Sequence, residues 1–177
     1  ISGNKWRKLK YNFEKAKQEK KETVLTFGGA FSNHIAATAA AGKAFGIKTI
    51  GIIRGEELAE KPLNKTLTKA KEQGMQLVFV TREEYKARNE KWYLDELKTK
   101  HINTLVVPEG GANYYGVTGC VDIVSEIDID FDVITTACGT GTTLAGIVLG
   151  LKEHQKAIGF PALKGDFMRA EVNSHLF

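Results

Sequence analysis

The chain has 177 residues, 42% of them hydrophobic and 26% charged, with 18 glycines. That composition is ordinary for a soluble globular protein and long enough to bury a core. The net charge of +4, from 25 basic and 21 acidic side chains, is mild and spread along the chain; it is a weak argument for a nucleic-acid partner, and an anionic small molecule fits equally well. The two cysteines, Cys120 and Cys138, sit in no CxxC or Cys/His cluster, which argues against a zinc site. There is no signal peptide and no apolar run long enough to span a membrane, so a cytoplasmic location is the default expectation. The chain opens at Ile1 rather than Met and stops at the apolar "EVNSHLF", which sets the expectation that both ends are cut from a longer protein.

In chain order, residues 6–20 place Trp6, Leu9, Phe13 and Ala16 at helical spacing. "TVLTFGG" is a strand ending in glycine, and an alanine-rich helix follows from about Asn33 to Phe45, with Gly46 as its stop. "KTIGIIR" is a buried strand. "PLNKTLTKAKEQG" is a helix with proline in its first turn and glycine past its end. "MQLVFV" is a strand, "REEYKARNEKWYLDELKTK" one charged amphipathic helix, and "NTLVVPEGG" a strand running into glycines. "GVTGCVDIVSEI" reads as a helix, "DVITTA" as a strand, "GTTLAGIVLGLKEH" as a helix and "KAIGF" as the last strand. Strand alternating with helix predicts an α/β fold of parallel sheets with helices on both faces. Ligands bind such sheets at the carboxyl ends of the strands. Three glycine-bearing loops fall there: Gly28-Gly29, Gly110-Gly111 and Gly139-Thr140-Gly141.

The loop "TTACGTGTTLAG" leads from a strand into a helix. Its glycines and threonines offer backbone N–H groups and hydroxyls to a phosphate. The dinucleotide fingerprint fails because Leu144 stands where a glycine is needed, and a P-loop fails because no lysine follows Gly146. Two readings stay open on this loop alone: a phosphate cup, or a tight turn with a threonine N-cap. Lys5, in "SGNKWRKL", is placed just before the first helix. A lysine in a partly buried polar turn can attack an aldehyde, although lysines at helix starts are usually solvated surface. Lys8 and Lys10 need no function. In "TFGGAFSNH", Ser32 can cap the helix, and N–H groups beside Ser32 and Asn33 can hold a carboxylate. His34 reads as a satisfied core or boundary histidine.

A phosphate cup, a lysine in "GNK" and the "GGAFSNH" loop together match the needs of pyridoxal 5'-phosphate. With "GNKWRKL", "TFGGAFSNH", "VPEGGANYYGVTGCVDIVSEI" and "CGTGTTLAG" in that order, the chain resembles the pyridoxal-phosphate enzymes of the tryptophan-synthase-β fold type (fold type II). Within them it is most similar to the D-cysteine desulfhydrase and aminocyclopropane-carboxylate deaminase group. The resemblance implies a two-domain α/β fold of three-layer parallel sheets. Residues 1–22 with 112–177 would form an incomplete large domain that binds the cofactor, and residues 23–111 a small one. Lys5 would form the Schiff base and take the substrate's α-proton. Asn33 would hydrogen-bond the ring hydroxyl. Ser32, Asn33 and His34 would hold the substrate carboxylate, with Ser32 also implicated in proton handling. The stretch from Cys138 through Gly139, Thr140, Gly141 and Thr142 to Thr143 would bind the phosphate. Gly110 and Gly111 would shape the return between domains.

The resemblance further implies a homodimer acting on a small amino acid; nothing in the sequence itself supports a metal, nucleic-acid or membrane partner. β-Elimination from D-cysteine is the first expectation for the reaction. Deamination of aminocyclopropane carboxylate to 2-oxobutanoate is the second, and racemisation or another lyase activity the third. Family members continue beyond this C-terminus, so the chain is expected to be truncated there, without the group facing the pyridine nitrogen and a tyrosine used in catalysis. A reading of another class remains: a 177-residue polypeptide that is a non-catalytic fragment or an anion-binding module. A nucleotide-dependent enzyme is disfavoured by Leu144 and the missing lysine.

Overall fold

The computed structural model describes residues 3–176. The outermost residues of the expected large domain, 1, 2 and 177, lie outside the described residues. The chain forms two compact units, one of residues 13–109 and one that joins residues 3–12 to 110–176.

The first unit is a four-stranded parallel sheet with helices on both faces. Its strands are β1 (Thr23–Gly28), β2 (Lys48–Arg54), β3 (Met75–Val80) and β4 (Thr104–Val107), in the order β3-β2-β1-β4. Thr23 pairs with Lys48 on one side and with Thr104 on the other. β1 is therefore central and buried along its whole length, which is why it reads as a continuous apolar run rather than an alternation. The helices are α1 (Asn4–Gln18), α2 (Asn33–Phe45), α3 (Lys65–Glu72), α4 (Arg82–Lys86) and α5 (Lys91–Lys100), with α1 contributing its residues from Phe13 onward to this unit. One core cluster packs Leu25, Phe27, Ile50 and Ile52 against Tyr85 of α4 and Tyr93 and Leu97 of α5. The other packs Ile53 and Met75 against Ile35 and Ala39 of α2 and Leu67 and Ala70 of α3.

Local chemistry fixes the helix ends. Asn64 caps α3, its Oδ1 accepting from the Leu67 N–H at 2.9 Å. The expected start at the proline is thus replaced by an Asn cap two residues later, because the Asn side chain satisfies a first-turn donor that proline cannot. The expected single helix over 82–100 is two: Glu90 adopts an extended backbone (φ −75°, ψ 134°) between α4 and α5. In one continuous helix Tyr85 and Leu97 would point about 120° apart. The break lets both reach the same cluster.

The second unit contains the start of α1, α6 (Tyr114–Ser125), β5 (Val133–Cys138), α7 (Thr142–Gly150), β6 (Lys156–Pro161) and α8 (Phe167–Ser174). β5 and β6 pair in parallel, with Val133 opposite Lys156 and Cys138 opposite Pro161. Glycines let its helices approach closely. A Cβ at Gly119 of α6 would lie 1.9 Å from the Arg7 carbonyl oxygen of α1, and one at Gly146 of α7 would lie 2.6 Å from the Val117 carbonyl of α6. Arg7 pairs with Glu126 and Lys10 with Asp122, adding exposed links between α1 and α6. α7 stops at Gly150, four residues short of the expected end, and α8 falls where no element was expected. Among the described residues no helix is long and apolar enough to cross a membrane.

Candidate active site

The loop between β5 and α7 gathers several polar side chains. β5 ends at the buried Cys138, and Gly141 takes a left-handed backbone (φ 69°, ψ −25°) as the cap of α7. That cap carries no side-chain hydrogen bond to the first turn. The threonine N-cap reading is therefore corrected: the cap is a glycine, and the threonine hydroxyls have other partners. Thr142 and Thr143 are buried in the first turn of α7. The N–H groups of Gly139, Thr140 and Gly141 find no acceptor among the described residues. Consecutive open donors ahead of a helix start form an anion site. Gly110, itself left-handed (φ 68°), backs the loop; a Cβ there would lie 2.8 Å from Thr140 Cγ2.

Side chains of α1 line this loop. Lys5 is partly buried inside the first turn of α1, not ahead of the helix as the sequence suggested, because the helix begins at Asn4. Asn4 Nδ2 donates to Thr143 Oγ1 at 3.0 Å, and Lys8 Nζ donates to Thr140 Oγ1 at 3.1 Å. Thr140 Oγ1 also lies 3.0 Å from Thr142 Oγ1. Asn12 continues the stripe, donating to the Lys8 carbonyl at 2.7 Å and exchanging hydrogen bonds with Asn113, the N-cap of α6.

Lys8 is only 2% exposed and has no carboxylate partner among the described residues. Burial, and then the neighbouring charge of Lys5, push its ammonium from the usual 10.5 down to about 7. A buried cation with no counter-charge, beside a ring of threonine hydroxyls and open N–H groups, is what a phosphate would complete. Burial pushes the thiols of Cys120 and Cys138 up, so both are neutral small side chains here rather than thiolates.

Ser32, Asn33 and His34 belong to the first unit. Ser32 Oγ accepts from the Ile35 N–H at 3.3 Å, so it does cap α2. Asn33 is exposed at the first position of the helix. His34 is 2% exposed, and its Nε2 lies 2.9 Å from Thr26 Oγ1. Thr26 Oγ1 itself donates to the Val107 carbonyl at 2.8 Å, so it must accept from a protonated Nε2. His34 is thus a buried core histidine whose Nε2 is committed to Thr26. A Cβ at Gly28 would lie 2.8 Å from Ser32 Oγ, which is why glycine precedes this turn.

Sequence reasoning missed Asn4, Lys8 and His175, whose Nε2 lies 3.0 Å from the Thr140 carbonyl oxygen. The signal for the first two was present. Starting the helix at Asn4 puts residues 4, 8 and 12 on one face, a polar stripe of which Lys8 and Asn12 are buried and so demand partners. His175 carried no such signal.

An α/β fold whose strand-to-helix glycine loop, buried lysine and threonines could together hold a phosphate points to a cofactor-binding class of enzyme. Comparison with known proteins makes this specific: the family model of pyridoxal-phosphate-dependent enzymes matches residues 1–169, and the chain belongs to that family. It is 34% identical over 166 residues to the bifunctional D-cysteine desulfhydrase/1-aminocyclopropane-1-carboxylate deaminase, mitochondrial, of Arabidopsis thaliana, covering 85% of this chain and 41% of that protein. It is 35% identical over 168 residues to a putative 1-aminocyclopropane-1-carboxylate deaminase of Thermotoga maritima, covering 89% of this chain and 53% of that protein. The crystal structure of an ACC deaminase homologue superposes with a TM-score of 0.84 at 29% identity, over 99% of this chain and 56% of that one. The fold is therefore that of the tryptophan-synthase-β type. The chain spans about half the length of the curated relatives it matches.

Proposed function

We propose that this chain is part of a lyase or deaminase that uses pyridoxal 5'-phosphate on a small amino acid. The observation that carries the reading is Lys8: a buried, depressed-pKa cation hydrogen-bonded into a loop of open N–H groups and threonine hydroxyls. When bound, the cofactor withdraws electrons from the substrate's α-carbon, so that bonds at and next to that carbon can break. Gly139, Thr140, Gly141, Thr142 and Thr143, with Lys8, hold the phosphate. Lys5 anchors the cofactor covalently and moves the substrate proton. Lys8 is a poor candidate for that anchor despite its lowered pKa: its ammonium is tied to Thr140, at the phosphate end of the site. Asn33 holds the ring hydroxyl. Ser32, Asn33 and the main chain at His34 hold the substrate carboxylate at the start of α2.

Residues 1–22 with 112–177 belong to the large domain and 23–111 to the small one, in a homodimer. The substrate of first choice is D-cysteine, which with water gives pyruvate, ammonia and hydrogen sulfide. Aminocyclopropane carboxylate, which with water gives 2-oxobutanoate and ammonia, is the second reading, favoured by the Thermotoga maritima likeness. Both are small α-amino acids with one carboxylate, which suits a single clamp at the start of α2.

The test is a visible-absorption titration with pyridoxal phosphate, followed by borohydride reduction, peptide mapping and assays for the two sets of products. Cofactor fixed on Lys5 supports the reading. Label on Lys8 or another lysine overturns the assignment of the anchor, and no spectral change with added cofactor favours a non-catalytic anion-binding module.

A further inference from the structure

The loop's Thr140 carbonyl is held from two sides. It accepts from the Thr142 N–H at 2.8 Å and from His175 Nε2, just past the end of α8, at 3.0 Å. A carbonyl oxygen only accepts, so Nε2 must carry the proton. The same Nε2 lies 3.4 Å from Thr142 Oγ1, one of the hydroxyls that rims the cup. α8 also packs on the loop itself: a Cβ at Gly141 would lie 3.0 Å from Val172 Cγ2 and 3.2 Å from the Val172 nitrogen.

The chain has no cis peptide bond among its described residues. In a planar trans peptide the carbonyl of residue 140 and the N–H of residue 141 point in opposite directions. Fixing the Thr140 carbonyl toward α8 therefore fixes the Gly141 N–H away from it. That N–H is one of the donors without an acceptor among the described residues. Gly141 has no side chain to resist rotation of this peptide, and its left-handed backbone makes the loop dependent on outside contacts for its shape.

We infer that His175 is a positioning residue of the phosphate cup: it locks the Thr140–Gly141 peptide so that the Gly141 N–H is presented to the cofactor's phosphate. This rests on the functional reading above and deepens it. His175 does not touch the phosphate; it acts through the Thr140 carbonyl. α8 therefore supports the cofactor site through His175 and Val172, and loading the cup and docking α8 stabilise each other.

The experiment compares wild type, His175→Ala and His175→Gln in equilibrium titrations with pyridoxal phosphate and with pyridoxal, which lacks the phosphate. Melting temperature with and without inorganic phosphate is a second readout that needs no bound cofactor. The alanine variant should bind pyridoxal phosphate about 5- to 10-fold more weakly, the size of one hydrogen bond. Its pyridoxal affinity should be unchanged and its stabilisation by inorganic phosphate reduced. Glutamine, whose Nε2 also donates, should restore most of the loss. Equal weakening toward both ligands would mean a general loss of structure and would overturn the inference, as would an alanine variant that binds pyridoxal phosphate like wild type. Wild type that responds to neither pyridoxal phosphate nor inorganic phosphate would overturn the functional reading and this inference with it. Wild type that binds normally, beside an indifferent variant, removes only the role of His175.

Discussion

Lys8 shows how a single buried side chain carries an electrostatic cost that depends on pH. Its ammonium is buried, faces Thr140 Oγ1 and stands near Lys5, with its pKa lowered from 10.5 to about 7 by burial first and by Lys5 second. Between those two values the unfolded chain holds the proton and the folded one has released it. The unfolded state then binds more protons, so stability without cofactor should rise with pH from about 7 to about 10.5. Below pH 7 both states are protonated and the full cost of burying the charge is present. Replacing Lys8 by Met, of similar length and no charge, should flatten this slope and raise the cofactor-free stability at pH 7 relative to wild type. Denaturation midpoints at pH 7, 8 and 9 for both proteins check it; parallel curves would sink the idea. The same variant should lose cofactor affinity about 10- to 100-fold, since a hydrogen bond to a charged group contributes about 1.5–3 kcal/mol. Weaker folding with unchanged binding would place Lys8 outside the cup. The lysine was visible in the sequence, but its role was not, because the reading started the helix at Trp6 and so did not align residues 4, 8 and 12.

At the scale of elements, periodicity and punctuation were legible where local chemistry decides them. α2 runs from Asn33 to Phe45 and ends at a left-handed Gly46, as the alanine-rich run and its glycine indicate. The break at Glu90 was not legible. Residues 82–100 carry good helical periodicity throughout, and it is the tertiary demand to bury Tyr85 and Leu97 together that splits them. α8 was missed for a related reason: an eight-residue helix has little propensity signal of its own. Close helix packing was also invisible, since a glycine in a helix reads only as a weak helix former. Gly119 makes the distinction measurable. On propensity alone, Gly119→Ala should stabilise by about 1 kcal/mol. The added Cβ would instead sit 1.9 Å from the Arg7 carbonyl oxygen. That is backbone and cannot rotate aside, so α6 and the start of α1 must move apart. The net effect should be destabilising by about 1–3 kcal/mol, read as a lowered denaturation midpoint. An unchanged or raised midpoint would mean that the two helices are not in this contact.

For the molecule as a whole, the two units are unequal in what holds them together. The first has a four-stranded sheet with apolar clusters on its two faces. The second has two paired strands, and Val133, Ile158 and Phe160 on them are 46–59% exposed, as is Leu149 of α7. A two-stranded sheet is marginal without further strands or packing, and apolar side chains left in water forfeit about 25 cal/mol per Å² of burial. The second unit also contains the lysines and loop that would hold the cofactor. Local opening follows where buried contacts are few. Without cofactor, amide hydrogen exchange of the 177-residue chain should therefore be slowest in β1 and β2 and much faster in β5, β6 and α8. Pyridoxal phosphate should slow exchange in the second group more than in the first. Strands β5 and β6 as protected as β1 in the absence of cofactor would show that the second unit does not depend on what binds it. Uniform slowing across both units would instead mean that the cofactor's effect is not confined to the loop between β5 and α7.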